Sequence, residues 1–260
     1  MRKIFTLICF LTFSSAFCQK PTLHKLWVGD ADNYMQVDTD AVRVERCFNY
    51  QGKRHVMQAA YYYRIIGDTF RIIKPEFYDS SDHDYIIKTF TSDQLTLVPL
   101  KKEWRTLYLS DIAKEALTFR DRNKVYTDSI RFQKILFSST TCYGICPEMS
   151  FTIDSNKQMK FRGGKYAVRE GSYNAVLSDQ LYAELLRILA ISELDKLKDL
   201  NQLNIDAPTY ILEVYYNGKT KSFKSFRFSY TATELLNYLI ELPKKVELGE
   251  AKSGETSFLR

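Results

Sequence analysis

The sequence predicts a mixed α+β protein, with an antiparallel β barrel or partial barrel first and an antiparallel sheet carrying two helices after it. Three observations predict this. Residues 22–100 form a run of short β-branched and aromatic segments separated by turn signals, the pattern of an antiparallel barrel or sandwich. Beyond residue 129 alternating segments return, interrupted by two leucine-rich stretches at helical spacing. The chain also carries 18 Tyr and 17 Phe in 260 residues, side chains that suit a pleated, half-buried surface. A chain of this length divides into one or two domains.

The first segment is not expected to belong to the fold. Met1-Arg2-Lys3 is a short basic start, Ile4–Phe13 is apolar, and Ser14-Ser15-Ala16-Phe17-Cys18 closes it with mostly small residues. This is the pattern of a secretory signal peptide over residues 1–18, too short to span a membrane as a helix. Cleavage after Cys18 fits the small pair Ala16 and Cys18. The competing pattern, a lipoprotein acylated at Cys18, is disfavoured by Phe17. Removing Arg2 and Lys3 takes 37 basic residues to 35 against 31 acidic ones, and the formal charge from +6 to +4. So mild and dispersed an excess speaks to solubility and gives no ground for nucleic-acid binding.

The elements follow in order. Leu26-Trp27, Tyr34–Val37 and Ala41–Val44 read as strands, the last two joined by an Asp-Thr-Asp turn. Ile65–Ile73 reads as a hairpin around Gly67-Asp68, within a strand reaching back to Gln58. Tyr85–Phe90 and Leu95–Val98 pair through Thr91-Ser92-Asp93. Residues 101–128 read as a linker, with a short helix over Asp111–Leu117 capped at Ser110 or Asp111. The second unit, residues 129–245, opens with strands at Ile130–Ile135, Met149–Ile153 and Met159–Arg162. Gly163-Gly164 interrupts the pattern, and Tyr166–Val168 and Gly171–Val176 follow. Ser178 caps a helix with Leu181, Leu185, Ile188 and Leu189 on one face. Tyr210–Tyr216 turns at Asn217-Gly218 into Thr220–Phe228. Thr231 or Thr233 caps a last helix carrying Leu235, Leu236, Leu239 and Ile240, and Pro243 ends it. Residues 246–260 read as a flexible tail.

Leu23 and Trp27, Tyr63–Ile72 and Ile87–Leu97 together resemble the openings and hairpins of small lipocalin-like domains of secreted bacterial proteins. The resemblance implies an antiparallel barrel. Lys25-Leu26 stands where such openings carry glycine, and the unit is short for eight strands, so a partial barrel and a closed one are both open.

The densest motif is Cys142-Tyr143-Gly144-Ile145-Cys146-Pro147. Outside the signal segment the cysteines are Cys47, Cys142 and Cys146, and an exported chain permits disulfides. Three intervening residues do not make the Cys-x-x-Cys of thioredoxin-like enzymes. A local bridge shaping a tight loop, with Gly144 for the turn and Pro147 fixing the exit, is the leading reading. A redox-active pair and a pairing with Cys47 are the alternatives. No metal is expected, because His24, His55 and His83 are isolated and a zinc site needs about four ligands. Ser138–Thr141 lacks a histidine to activate a nucleophile. Asp206 reads as a turn residue. Asp79, Asp82 and Asp84 around His83 lack the glycine of a calcium loop.

With Gly163 or Gly164, Val168, Gly171-x-Tyr173 and Asp206-Ala207-Pro208 following in order, the stretch from about 130 to 245 resembles a family of uncharacterised bacterial exported domains. That domain of unknown function is marked by Cys-Phe/Tyr-Gly-x-Cys-Pro. The resemblance implies a domain boundary and an important loop, but no activity. The expectation is an exported envelope protein, periplasmic or secreted, acting as a non-enzymatic binding or structural accessory module without a cofactor. A thiol-redox protein using Cys142 and Cys146 is the first alternative. A carrier of a small apolar ligand in the first unit is the second.

Overall fold

The computed structural model describes residues 22–29, 33–51, 53–73, 82–101, 115–125, 130–197 and 204–251, with side chains described for all of these except 47–50 and 53–55. The signal segment and the helix expected to start at Asp111 fall outside the described residues, apart from Glu115, Ala116 and Leu117 of that helix.

Eight antiparallel strands close a barrel: β1 (Leu26–Val28), β2 (Tyr34–Val37), β3 (Ala41–Tyr50), β4 (Lys53–Ile66), β5 (Thr69–Ile73), β6 (His83–Phe90), β7 (Gln94–Pro99) and β8 (Leu117–Asp121). Closure comes from β8, which pairs with β7 on one side and with β1 on the other, opposing Trp27 to Asp121 and Val28 to Arg120. This strand lies inside the stretch expected as a linker. The polar residues around Leu117 and Phe119 hid it, although both of these side chains face the core.

Alternation decides what the barrel contains. In β5 the odd positions Thr69, Arg71 and Ile73 are partly exposed, while Phe70 and Ile72 are fully buried. Trp27, Met35, Val37, Val42, Tyr85, Leu95 and Leu97 are buried with them in one cluster. An eight-stranded barrel is just wide enough for side chains to fill, and here aromatic and aliphatic groups occupy that space. Each fully buried apolar side chain contributes about 1.5–3 kcal/mol. On the outside, Arg71 makes a two-pronged bond to Asp84 on the next strand, with both contacts at 2.7 Å.

The remaining strands form one antiparallel sheet in the order β14-β13-β9-β10-β11-β12-β15. They are β9 (Phe132–Ser139), β10 (Met149–Asp154), β11 (Gln158–Gly163), β12 (Gly171–Val176), β13 (Tyr210–Tyr216), β14 (Lys219–Ser225) and the two-residue β15 (Gly249–Glu250). The last of these adds an edge pairing in the stretch read as a loose tail. Tyr166–Val168, read as continuing a strand, lies in the turn between β11 and β12. Edge strand β14 is studded with Lys219, Lys221 and Lys224, which discourages edge-to-edge pairing.

Among the described residues three α-helices accompany the strands. The four-residue α1 (Arg122–Val125) follows the barrel, and α2 (Asp179–Ile191) and α3 (Tyr230–Glu241) cover the sheet. Their apolar stripes, Leu185, Ile188 and Leu189 with Leu235, Leu236 and Leu239, join Ile135, Phe137, Phe151 and Ile153 of the sheet in a second core. Ser178 caps α2 as its sequence predicts, its hydroxyl accepting from the Leu181 amide.

Helix α3 departs from expectation. Its N-cap is Ser229, not Thr231 or Thr233, and Ser229 makes no side-chain cap bond. The acceptor comes from the barrel. The carboxylate of Glu45, on β3, accepts from the Ser229 hydroxyl and, at 2.9 Å, from the Tyr230 amide. Gln58 on β4 donates to the same carboxylate at 2.7 Å and to the Phe228 carbonyl at 3.0 Å. With its proton committed to Glu45, Ser229 accepts from Thr231. Two further contacts join barrel and sheet. The Tyr34 hydroxyl donates to Glu193 at 2.6 Å, and Arg122 donates to the Thr231 carbonyl and pairs with Glu234.

Glu45 is 3% exposed, so removing its carboxylate leaves buried donors unmet. Glu45→Ala is expected to cost about 1–3 kcal/mol in chemical denaturation, and Ser229→Ala, which leaves the Tyr230 amide satisfied, clearly less. A second expectation concerns acid. The bond to Arg71 holds the Asp84 carboxyl below its ordinary range. The pair's contribution is thus present above the ordinary carboxylate pKa and is lost as pH falls through the depressed value. Melting wild type against Asp84→Asn should show a gap at neutral pH that narrows as pH falls through the depressed value; a gap of constant size contradicts the assignment.

Candidate functional site at the cysteine-loop end of the sheet

Strand register places three loops at one end of the sheet. Ser139 opposes Met149 on one side and Tyr210 on the other. Met149 opposes Gly163, and Gly163 opposes Gly171. The loops leaving these positions are 140–148, 164–170 and 204–209. Three of the elements that carry the family resemblance therefore meet here: the cysteine motif, the double glycine and the Asp-Ala-Pro turn.

The stems of the cysteine loop are held without help from its sulfurs. The Ser139 hydroxyl donates to the Pro147 carbonyl across the base. The Thr140 amide donates to the Thr209 carbonyl at 3.1 Å, and the Thr209 amide returns a bond to the Thr140 hydroxyl at 3.0 Å. On the other stem the Glu148 amide donates to the Lys165 carbonyl at 2.9 Å, and the Gly164 amide donates to the Glu148 carbonyl at 2.8 Å. The hydroxyl-rich run before Cys142 is thus a strand end at which the Ser139 and Thr140 hydroxyls bond backbone.

Within the loop, the sulfurs of Cys142 and Cys146 lie 1.97 Å apart, at disulfide bonding distance. The Gly144 amide donates to the Cys142 sulfur at 3.2 Å. Tyr143 and Ile145, between the cysteines, are 91% and 84% exposed. Tyr166, Val168 and Ile205 on the neighbouring loops are exposed as well. Large apolar side chains held this far out of a packed domain mark an interaction surface more often than an accident of packing.

The loops also fit closely. A Cβ at Gly163 would meet the Arg169 carbonyl at 1.9 Å, so no side chain is tolerated where the strand passes beneath the 164–170 loop. At Gly164 the nearest obstacle is the Glu148 carboxylate at 2.7 Å, the far end of a flexible side chain. Arg169 anchors that loop by donating to the Leu248 carbonyl at 3.0 Å and lying 4.8 Å over the Tyr173 ring. Lys165 lies 4.8 Å over Tyr166. Cations (Lys165, Arg169) and anions (Glu148, Glu170, Asp206) are mixed across the loops. At the base of the site, burial pushes the Tyr210 phenol up from its ordinary pKa, so it stays protonated at neutral pH.

Other sequence candidates lie elsewhere. His83 is buried on β6, His24 is exposed ahead of β1, and Asp84 serves Arg71. Cys47 and His55 sit on β3 and β4 with side chains outside the described residues, as does Asp79 in all respects. Among the described residues no group of three His, Cys, Asp or Glu is placed to hold a metal. Asp206 forms a turn, its amide donating to the Asn204 side chain at 2.9 Å. Sequence reasoning did not single out Tyr166, Val168 or Ile205 as site residues. Their signal was the double glycine and the Asp-Ala-Pro turn, whose convergence only the register reveals.

Residues 133–244 match the family described as Domain of unknown function (DUF6438). The match covers the sheet apart from its two-residue edge strand β15 and the first residue of β9, together with both long helices, and no lipocalin likeness of the barrel accompanies it. No curated protein matches the chain.

The independent stems predict the stability cost of opening the loop. A ring of this size restricts the unfolded chain by roughly 2 kcal/mol. The double variant Cys142→Ser/Cys146→Ser is therefore expected to fold, with at most about that loss in urea denaturation. Gly163→Ala, forcing a side chain into backbone, is expected to cost about 1–3 kcal/mol, while Gly164→Ala costs little. Equal losses for the two glycine variants would contradict the packing described.

Proposed function

We propose that this is an exported bacterial envelope protein that works as a non-enzymatic binding or accessory module, engaging a partner through the cysteine-loop end of its sheet. The observation that carries the reading is the exposure of Tyr143 and Ile145 on a loop whose two stems are each tied down by backbone hydrogen bonds. A loop backbone anchored at both stems loses little freedom on binding, so preorganisation of this kind favours recognition. Aromatic anchors are the side chains that most often carry interface energy. Export is supported by the basic, apolar and small-residue segments of residues 1–18, with the mature chain starting at Gln19. The Ser139 and Thr140 hydroxyls at the stems are spent on backbone, which leaves them as anchors of the loop. The packed barrel interior weighs against a small apolar ligand carrier, and leaves the barrel as the support that caps α3.

The test is a photo-crosslinking amino acid at position 143 in cells producing the full chain, with the same group at Asn156, in the turn between β10 and β11, as control. The expected result is a discrete adduct from position 143 that Ile145→Ser abolishes and position 156 does not give. Identical adducts from both positions, or hydrolytic turnover by the purified protein on a broad substrate panel, would overturn the reading. Intact mass of the exported protein should place the first residue at Gln19.

A further inference from the structure

We infer that the Cys142–Cys146 link is a thiol-exchange site with a fixed polarity, at which a dithiol attacks the Cys146 sulfur and Cys142 departs as the thiolate. Three observations carry it beyond the binding role, and it stands whether or not Tyr143 and Ile145 engage a partner.

The first is access. The link closes the tip of a loop whose intervening side chains, Tyr143 and Ile145, are turned to solvent, and both cysteines are themselves partly exposed. The second is decoupling. The stem bonds from Thr140, Ser139, Glu148 and Gly164 do not involve the sulfurs, so the link can open and close while the sheet stays folded. A cross-link that held the domain together would be a poor exchange site, because opening it would unfold its own support. The third is asymmetry. The Gly144 amide donates to the Cys142 sulfur at 3.2 Å, and among the described residues no comparable backbone donor reaches Cys146. Exchange is faster when the departing sulfur is the better stabilised thiolate. A hydrogen bond to a developing anion is stronger than one to a neutral sulfur, so the Gly144 amide favours charge on Cys142.

The chemistry balances with a dithiol as the reductant. Its thiolate attacks the Cys146 sulfur, the Cys142–Cys146 bond breaks, and the electron pair leaves on Cys142 beside the Gly144 amide. The mixed disulfide on Cys146 is then attacked by the dithiol's second thiolate at the dithiol's own sulfur, which expels Cys146 as a thiolate. The dithiol is oxidised to a disulfide. The loop gains two electrons and, once both thiolates are protonated, two protons.

The experiment uses the full mature chain carrying Cys47→Ser, so that only the loop sulfurs report. Reduced glutathione is the probe, kept substoichiometric and quenched early, before a second glutathione or the freed loop thiolate can resolve the first mixed disulfide. The reaction is quenched by alkylation and the loop peptide is mapped by mass, with circular dichroism recorded on the same sample. The expected result is glutathione on Cys146 and alkylation on Cys142, in about tenfold excess over the reverse arrangement, with native ellipticity throughout. Dithiothreitol in place of glutathione should give the fully reduced loop with no adduct. Glutathione on Cys142, an even split, or a link that reacts only once the protein is unfolded would each overturn the inference.

Discussion

The buried carboxylate of Glu45 is the constraint on which the relation between the two halves depends. A helix begins with amide groups that no residue of its own can satisfy, and α3 meets this need from outside its own unit. Its cap serine turns its hydroxyl away from the helix, and a glutamate from the barrel takes the first amide in its place. The charge also sits favourably at the positive end of the helix. A carboxylate 3% exposed is costly to desolvate, and it is tolerated because three donors, from Ser229, Tyr230 and Gln58, converge on it. Remove either unit and the other is left with an orphaned charge or orphaned amides. The Arg122 bonds to Thr231 and Glu234, and the Tyr34 bond to Glu193, lie along the same junction.

That junction and the cysteine loop are different kinds of feature. At the junction polar groups are buried and mutually satisfied. At the loop end, polar groups are spent on holding the stems, and the apolar side chains are left in water. A domain that buries Ile135, Phe137 and Phe151 completely has ample means to hide two more residues, yet Tyr143 and Ile145 point outward. The five-residue ring adds only the small chain-entropy contribution of so short a loop, while the stem hydrogen bonds and the Gly163 close approach hold the loop's base. What the ring controls is the conformation of its own tip, which is why binding and exchange chemistry are the two roles it suits.

Much of this was legible in the sequence where the determinants are local. Alternation located β5, β10 and β11; the Gly67-Asp68 and Asn217-Gly218 turns gave the hairpins, and Ser178 gave the start of α2. The family elements ordered around Cys142 drew attention to the loop. What stayed hidden depends on distant partners. Strand β8 looks like linker because only Leu117 and Phe119 are core residues, and its identity as the closing strand requires both β1 and β7 as neighbours. The cap of α3 is hidden for the same reason: Glu45 is 185 residues away in sequence from the amide it serves. The surface formed with Tyr166, Val168 and Ile205 emerges only when the register of five strands brings three loops to one end.

The most direct test of the account is amide hydrogen exchange on the full chain, oxidised and reduced, resolved at the loop and its stems. If the stems hold the loop, reduction leaves protection at the Thr140, Glu148, Gly164 and Thr209 amides unchanged and alters exchange only within 142–146, most at Gly144. If reduction instead strips protection from the stems and along β9 and β10, the link is a structural clamp on the sheet and the description of an independently anchored tip is wrong.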